Sequence, residues 1–205
     1  MHSLLINRNQ SRDSPTDMLF KYFQQLSGFT IFFVSLSVNF ETMYKIEIEM
    51  INDLSQKAKA SERKRMNLNI HKSADDQLQR FMNAMEPGTY IRPHKHEMPH
   101  KRELFAVVRG EFLVLEFDDN GEISDHFILS QDTGNFAVEI DPAIWHTVIA
   151  LKVSSVALEV KDGPYHPDSD KIFADWAPAE SDTAGAKTFL DNQLGKLGIF
   201  FPNIY

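Results

Sequence analysis

Cysteine is absent from all 205 residues. That excludes disulfides and thiolate ligands, so any metal would have to sit on nitrogen and oxygen. It also fits a reducing compartment, and the expected location is cytoplasmic. Basic charge is in short supply: 21 Lys and Arg stand against 29 Asp and Glu, a net charge of −8. Nucleic-acid binding needs a basic face that displaces counterions, and a hold on anionic lipid needs a polybasic one. This balance argues against both partners. No apolar run is long enough to span a bilayer. The nearest, "GFTIFFVSLSVNF" at 28–40, has thirteen residues, where a spanning helix needs about 20. It is poorly placed as a signal peptide, because the segment before it mixes acids with bases and no small-x-small cleavage site follows. With 42% hydrophobic and 24% charged residues, the chain has the composition of an ordinary globular protein.

The character of the sequence changes near Met43. Residues 1–42 carry no sustained period, whereas every later segment reads as part of a compact fold. The expectation is an N-terminal extension over 1–42, lying upstream of a native start at Met43, with a dimer arm as the alternative. Residues 43–66 form a helical segment, since Ile51, Leu54 and Ala58 recur at spacings of three and four. Residues 67–165 hold strand signals about ten residues apart: "NLNIH", "QRFMNAM", "TYIRPHKH", "ELFAVVRGEFLVLEFDD", "HFILS", "NFAVEI", "HTVIAL" and "SVALEVK". Such spacing predicts an all-β sandwich or barrel. Asn120-Gly121 signals a type I′ hairpin turn, in which both residues take φ > 0. The segment 166–205 ends with a short helix presenting Phe189, Leu190, Leu194 and Leu197 on one side.

Within this pattern the fourteen residues "RPHKHEMPHKRELF", at 92–105, hold three histidines and two glutamates. His94 and His96 are two apart on a predicted strand and share a face. Glu103 falls in step with Phe105 and Val107, and a carboxylate among apolar neighbours is costly unless something satisfies it. A cation would do so, with the imidazoles as companions. Far along the chain, "DPAIWHTVIAL" sets His146 at the head of another strand, in step with Val148 and Ala150. Three imidazoles and one carboxylate suit one divalent ion (Fe, Mn, Ni, Co or Zn), with positions left for water or ligand. His2, His71, His126 and His166 are read as surface or satisfied core residues.

The order Gly88, His94-Lys95-His96, Glu103, Gly110 resembles the first cupin motif, and the stretch from Gly134 to His146 resembles the second. Two departures stand out. Six residues separate His96 from Glu103, more than the usual gap, and the proline before His146 comes one position late. The gap places His100 where a cupin glutamate often falls, but Glu103 keeps its distance to Gly110 and is preferred. Beyond these motifs, "RMNLNIHKSADDQLQRFMNAMEPGTYIRPHKH", "WHTVIALK" and "EVKDGPYHPDSDKIFADWAPAE" resemble the WbuC family of cupin-fold metalloproteins, which is associated with bacterial O-antigen and lipopolysaccharide gene clusters. The resemblance covers about Met43 to Leu194. It implies a jelly-roll β-barrel with short flanking helices, a mononuclear metal and a role in surface-polysaccharide biosynthesis.

The resemblance implies no particular reaction. A sugar- or nucleotide-sugar-directed enzyme, an Fe(II)-dependent dioxygenase, a non-catalytic metal-dependent binding module and a metal-stapled structural barrel all remain open, as does a homodimer. Tyr90 and Arg92 fall on the histidine face of their strand and are the first candidates for a second catalytic or ligand-contacting group. Asn67 and Asn69 form a polar stripe that could meet a sugar-like ligand. Arg80, Lys161 and Tyr165 are candidate anion or sugar contacts.

Overall fold

The structure, a computed structural model, describes residues 43–200, so the expectations for 1–42 fall outside it. Helix α1 (Ile48–Ala60) is followed by strands β1 (Arg65–Asn69), β2 (Leu78–Met85), β3 (His94–Lys95), β4 (Glu103–Arg109), β5 (Glu111–Phe117) and β6 (Ile123–Ser130). After a 3₁₀ turn at Gln131–Thr133 come β7 (Ala137–Ile140), β8 (Trp145–Ala150), β9 (Ser155–Asp162), β10 (Ile172–Phe173) and helix α2 (Thr183–Lys196). Two five-stranded sheets result, in the orders β1-β2-β9-β4-β7 and β10-β3-β8-β5-β6. Every strand pair is antiparallel.

Strand alternation sorts the side chains into three apolar layers. Between the sheets lie Met85, Phe105, Val107, Phe112, Val114, Val148 and their neighbours. Outside the first sheet, Met82, Ala84 and Val156 pack under Ile51, Leu54 and Ala58 of α1, the face its spacing predicted. Outside the second sheet, Leu113, Leu115 and Ile149 pack under Ala186, Leu190 and Leu194 of α2. Full burial of such a side chain contributes about 1.5–3 kcal/mol, so both helices are held by packing.

The inter-sheet layer is apolar at one end only. Followed along the same inward faces, β4 runs from Val107 and Phe105 to Glu103. In β8 the face passes from Val148 to His146, and in β9 from Ala157 to Glu159 and Lys161. One end of the barrel is therefore hydrocarbon and the other polar.

Three local expectations are corrected. The strand foreseen across 89–96 shrinks to His94–Lys95. Pro93 has no N–H to give a ladder, and the carbonyls before it find side chains instead: Arg65 donates to Tyr90 O at 2.6 Å and Thr147 to Ile91 O at 2.7 Å. The short strand β10, unforeseen, pairs with β3. The turn at Asn120-Gly121 joins β5 to β6, but among its residues only Gly121 takes positive φ, at 82°. Asp118 Oδ1 accepts from the backbone N–H of both Asn120 and Glu122 at 2.9 Å, and this Asx-type capping selects a different turn. Gly110, between β4 and β5, has φ 78°. A Cβ there would come within 2.8 Å of Ser155 Cα, so no larger residue fits.

Candidate metal centre

Three strands bring the four side chains together. His94 lies on β3 and His146 on β8, and the two are direct partners across that antiparallel pair. His96 follows β3, and Glu103 opens β4 in the facing sheet. All four are buried, none more than 4% exposed. Their nearest donor atoms lie within 4.8 Å of one another.

The histidine orientations are set by the backbone. His94 Nδ1 lies 3.0 Å from Arg92 O, His146 Nδ1 lies 2.8 Å from Ile144 O, and His96 Nδ1 contacts Asp170 O. A carbonyl only accepts, so each Nδ1 carries the proton and, in the neutral ring, each Nε2 keeps its lone pair. This is the arrangement by which outer partners orient metal-binding imidazoles. His146 Nε2 sits 3.0 Å from Glu103 Oε2 and His96 Nε2 sits 2.9 Å from Oε1. The second approach lacks the angle of a hydrogen bond, and His94 Nε2 is buried with no partner at all.

Electrostatics point the same way. Burial pushes His94 well below the ordinary imidazole range, and the charge of Lys171 adds to this, so the ring is neutral. Burial alone would raise the Glu103 carboxyl. The adjacent His146 and His96 rings outweigh it and hold the Glu103 carboxyl well below its ordinary range. With the Nδ1 protons committed to carbonyls, the rings could offer Nε2–H to Glu103 only as imidazolium ions. One cation satisfies both the lone pairs and the carboxylate, so the donor set fits a divalent ion. These four residues could hold it.

A buried ionic lattice supports Glu103 from behind. Lys161 Nζ lies 3.5 Å from Glu103 Oε1 and 2.6 Å from Asp170 Oδ2, while Lys101 Nζ reaches Asp170 Oδ1 at 2.5 Å. Asp170 thus fixes His96 through its carbonyl and two lysines through its carboxylate. Lys101 and Asp170 carried no sequence signal: both sit in loops, where burial follows no period.

The other candidates scatter. His100 is exposed and bridges back to Glu97, so the widened loop folds on itself and leaves His100 outside the cluster. Tyr90 points away from the cluster into the layer beneath α2, its hydroxyl donating to Pro178 O at 2.8 Å. Arg92 turns to the rim, donating to Ala174 O and lying over the Phe173 ring. Arg80 pairs loosely with Asp76. Asn67, Asn69, Lys161 and Tyr165 do line a common cavity of about 920 Å³, together with Asn83, Glu159 and Lys171. Glu159 was legible in hindsight, since it alternates with Ala157 and Lys161. Lys171 was not.

Fold and site together define the class: this is a β-barrel of two antiparallel five-stranded sheets, with a buried imidazole and carboxylate set inside it. A family model described as a domain of unknown function, DUF6016, matches residues 46–129. No curated protein matches the chain. Among solved structures, it is similar to CapF from Staphylococcus aureus, described as a capsular polysaccharide assembling protein. That match has 24% identity and a TM-score of 0.44, covering 52% of this chain and 28% of CapF. The chain thus spans under a third of that relative. KdgF from Halomonas sp. matches at 20% identity and a TM-score of 0.40, over 51% of this chain and 83% of its own. A cupin 2 domain-containing protein from Halorhodospira halophila matches at 18% identity and a TM-score of 0.40, over 62% and 80%. Among the described residues, no helix is long and apolar enough to cross a membrane.

Proposed function

We propose that this chain is a cupin-fold metalloprotein in which His94, His96, Glu103 and His146 hold one divalent ion. The neighbouring cavity takes a small, polar, sugar-like ligand. The observation that supports this most strongly is the convergence of three backbone-oriented imidazoles and an ionised, buried carboxylate, with His94 Nε2 left unpartnered. When bound, the ion supplies a Lewis acid that can polarise a ligand oxygen. The chain's own residues orient the donors, exclude bulk water and brace Glu103 through Lys161. The resemblance to the WbuC family supports a place in the biosynthesis of O-antigen and lipopolysaccharide, in the cytoplasm.

A non-catalytic reading, in which the ion orients a ligand without turnover, is favoured by one observation. Tyr90, an obvious candidate for a proton-transferring group, is turned out of the barrel and occupied by Pro178. Elemental analysis of purified protein tests the metal reading. About one transition-metal ion per chain is expected, lost in His146→Ala; stoichiometric metal retained by both His94→Ala and His146→Ala would overturn it.

A further inference from the structure

The cavity beside the four residues concentrates cations in a chain whose net charge is −8. Arg63, Arg65, Lys72, Lys161 and Lys171 line it, against only Glu159 and Glu180, five basic side chains to two acidic ones. Most of these cations are already engaged or solvated. Arg65 pairs with Glu180 at 2.6 Å, Arg63 approaches the same carboxylate at 3.8 Å, and Lys161 is held by Asp170 at 2.6 Å. Lys72 is exposed.

Lys171 differs. It is half-buried on the cavity wall, just before β10, and among the described residues its ammonium has no hydrogen bond or ion pair. A half-buried ammonium without a partner is incompletely compensated. Burial accordingly pushes Lys171 below the ordinary lysine range, even though Glu103, Glu159 and Asp170 pull the other way. An anionic group docked against it would supply the missing partner. The same cavity also carries hydrogen-bonding groups. Asn67 Nδ2 donates to Asn69 Oδ1 at 2.6 Å, and Asn83 donates to Glu159 Oε2, leaving Glu159 Oε1 as an acceptor. Amides and a carboxylate lining one cleft with a lysine suit hydroxyl groups.

We propose that the cavity binds a polyhydroxylated anion, a sugar acid or sugar phosphate, with Lys171 on the carboxylate or phosphoryl group and Asn67, Asn69 and Glu159 on the hydroxyls. This deepens the ligand half of the function proposed above and rests on it for the placement of the cavity beside the ion.

Calorimetric titration of the full chain with D-glucuronate, D-glucose 1-phosphate, neutral D-glucose and inorganic phosphate tests it. At least one anionic sugar is expected to bind about tenfold or more tighter than glucose, the scale of one charge-assisted contact. Preference for glucuronate alone assigns a carboxylate, and preference for the phosphate ester alone assigns a phosphoryl group. Lys171→Met abolishes the preference and Lys171→Arg retains it; if the Met variant fails to fold, Lys171→Gln decides. Glucose binding as tightly as both anionic sugars, no sugar binding at all, inorganic phosphate matching the sugar phosphate, or a preference that survives loss of the charge each overturns the proposal. Metal content is measured on the same samples. A Lys171-dependent preference in protein that takes up no metal would fail the metal reading and spare this one; metal without the preference would do the reverse.

Discussion

His94 and His146 face each other directly across the β3–β8 pair, their ring centroids 4.5 Å apart and tilted at 56°. Fifty-two positions separate them in the chain, yet the register of two strands makes them neighbours. Because both Nδ1 protons are held by carbonyls two residues earlier, the rings cannot turn without losing a buried hydrogen bond. Their Nε2 atoms are aimed at one region before any ion arrives.

His94→Ala and His146→Ala should each lower metal affinity by more than about 100-fold, exceeding the effect typical of outer partners. His100→Ala should leave it unchanged. Competition titration against a chelating dye measures all three; an equal loss in the His100 variant would shift the site toward the loop.

Supplying the preferred divalent ion at about 100 times its Kd should stabilise the metal-free protein by about 2.7 kcal/mol. For a domain of this size that is roughly 5–10 °C in Tm. A chelator should reverse it, and a melting curve indifferent to both would count against an ion in this cluster.

Asp170→Asn removes the shared partner of Lys101 and Lys161, whose side chains are 1% and 4% exposed. Leaving two buried ammonium groups with one partner fewer should cost about 3–5 kcal/mol, read as a lower urea midpoint. A change within about 0.5 kcal/mol, the range of an ordinary surface substitution, would mean that the lattice contributes nothing to stability.

Gly110→Ala and Gly134→Ala separate strain from collision. Both positions have positive φ, at 78° and 80°, but only the first puts a Cβ against Ser155; the second meets no atom within 4 Å. Both variants should lose about 1 kcal/mol to backbone conformation. Gly110→Ala should lose more, together with correct β4–β5 pairing.

In metal-free protein Glu159 should make stability pH-dependent. Burial, followed by the Glu103 charge, raises its pKa from the ordinary 4.5 to about 7. The folded state therefore holds this proton more tightly than the unfolded chain does. The resulting contribution is present in full below about 4.5 and is lost as pH rises to about 7. Glu159→Gln, always neutral, should remove that decline; unfolding free energies at pH 4.5 and 7.5 that fall equally in both proteins would show Glu159 to be solvated.

Local pattern was enough to foresee a β-barrel and the four side chains that converge within it. Alternation in "ELFAVV" and "WHTVIA" fixes which face of each strand a side chain takes, because the side-chain period of a strand is two. That rule put His94 on one face with His96 and marked Glu103 and His146 as sharing faces with apolar residues, and the three- and four-residue spacings of Ile51, Leu54 and Ala58 marked a packed helix. Tertiary structure alone decided the rest. Tyr90 precedes Pro93 in a segment without a regular ladder, so parity could not say which way it points, and it went under α2. Lys101, Asp170 and Lys171 lie in connections, where no period links position to burial. Their partners are set by chain crossings that close the polar end of the barrel, and those crossings depend on contacts more than sixty residues apart, such as Lys101 with Asp170.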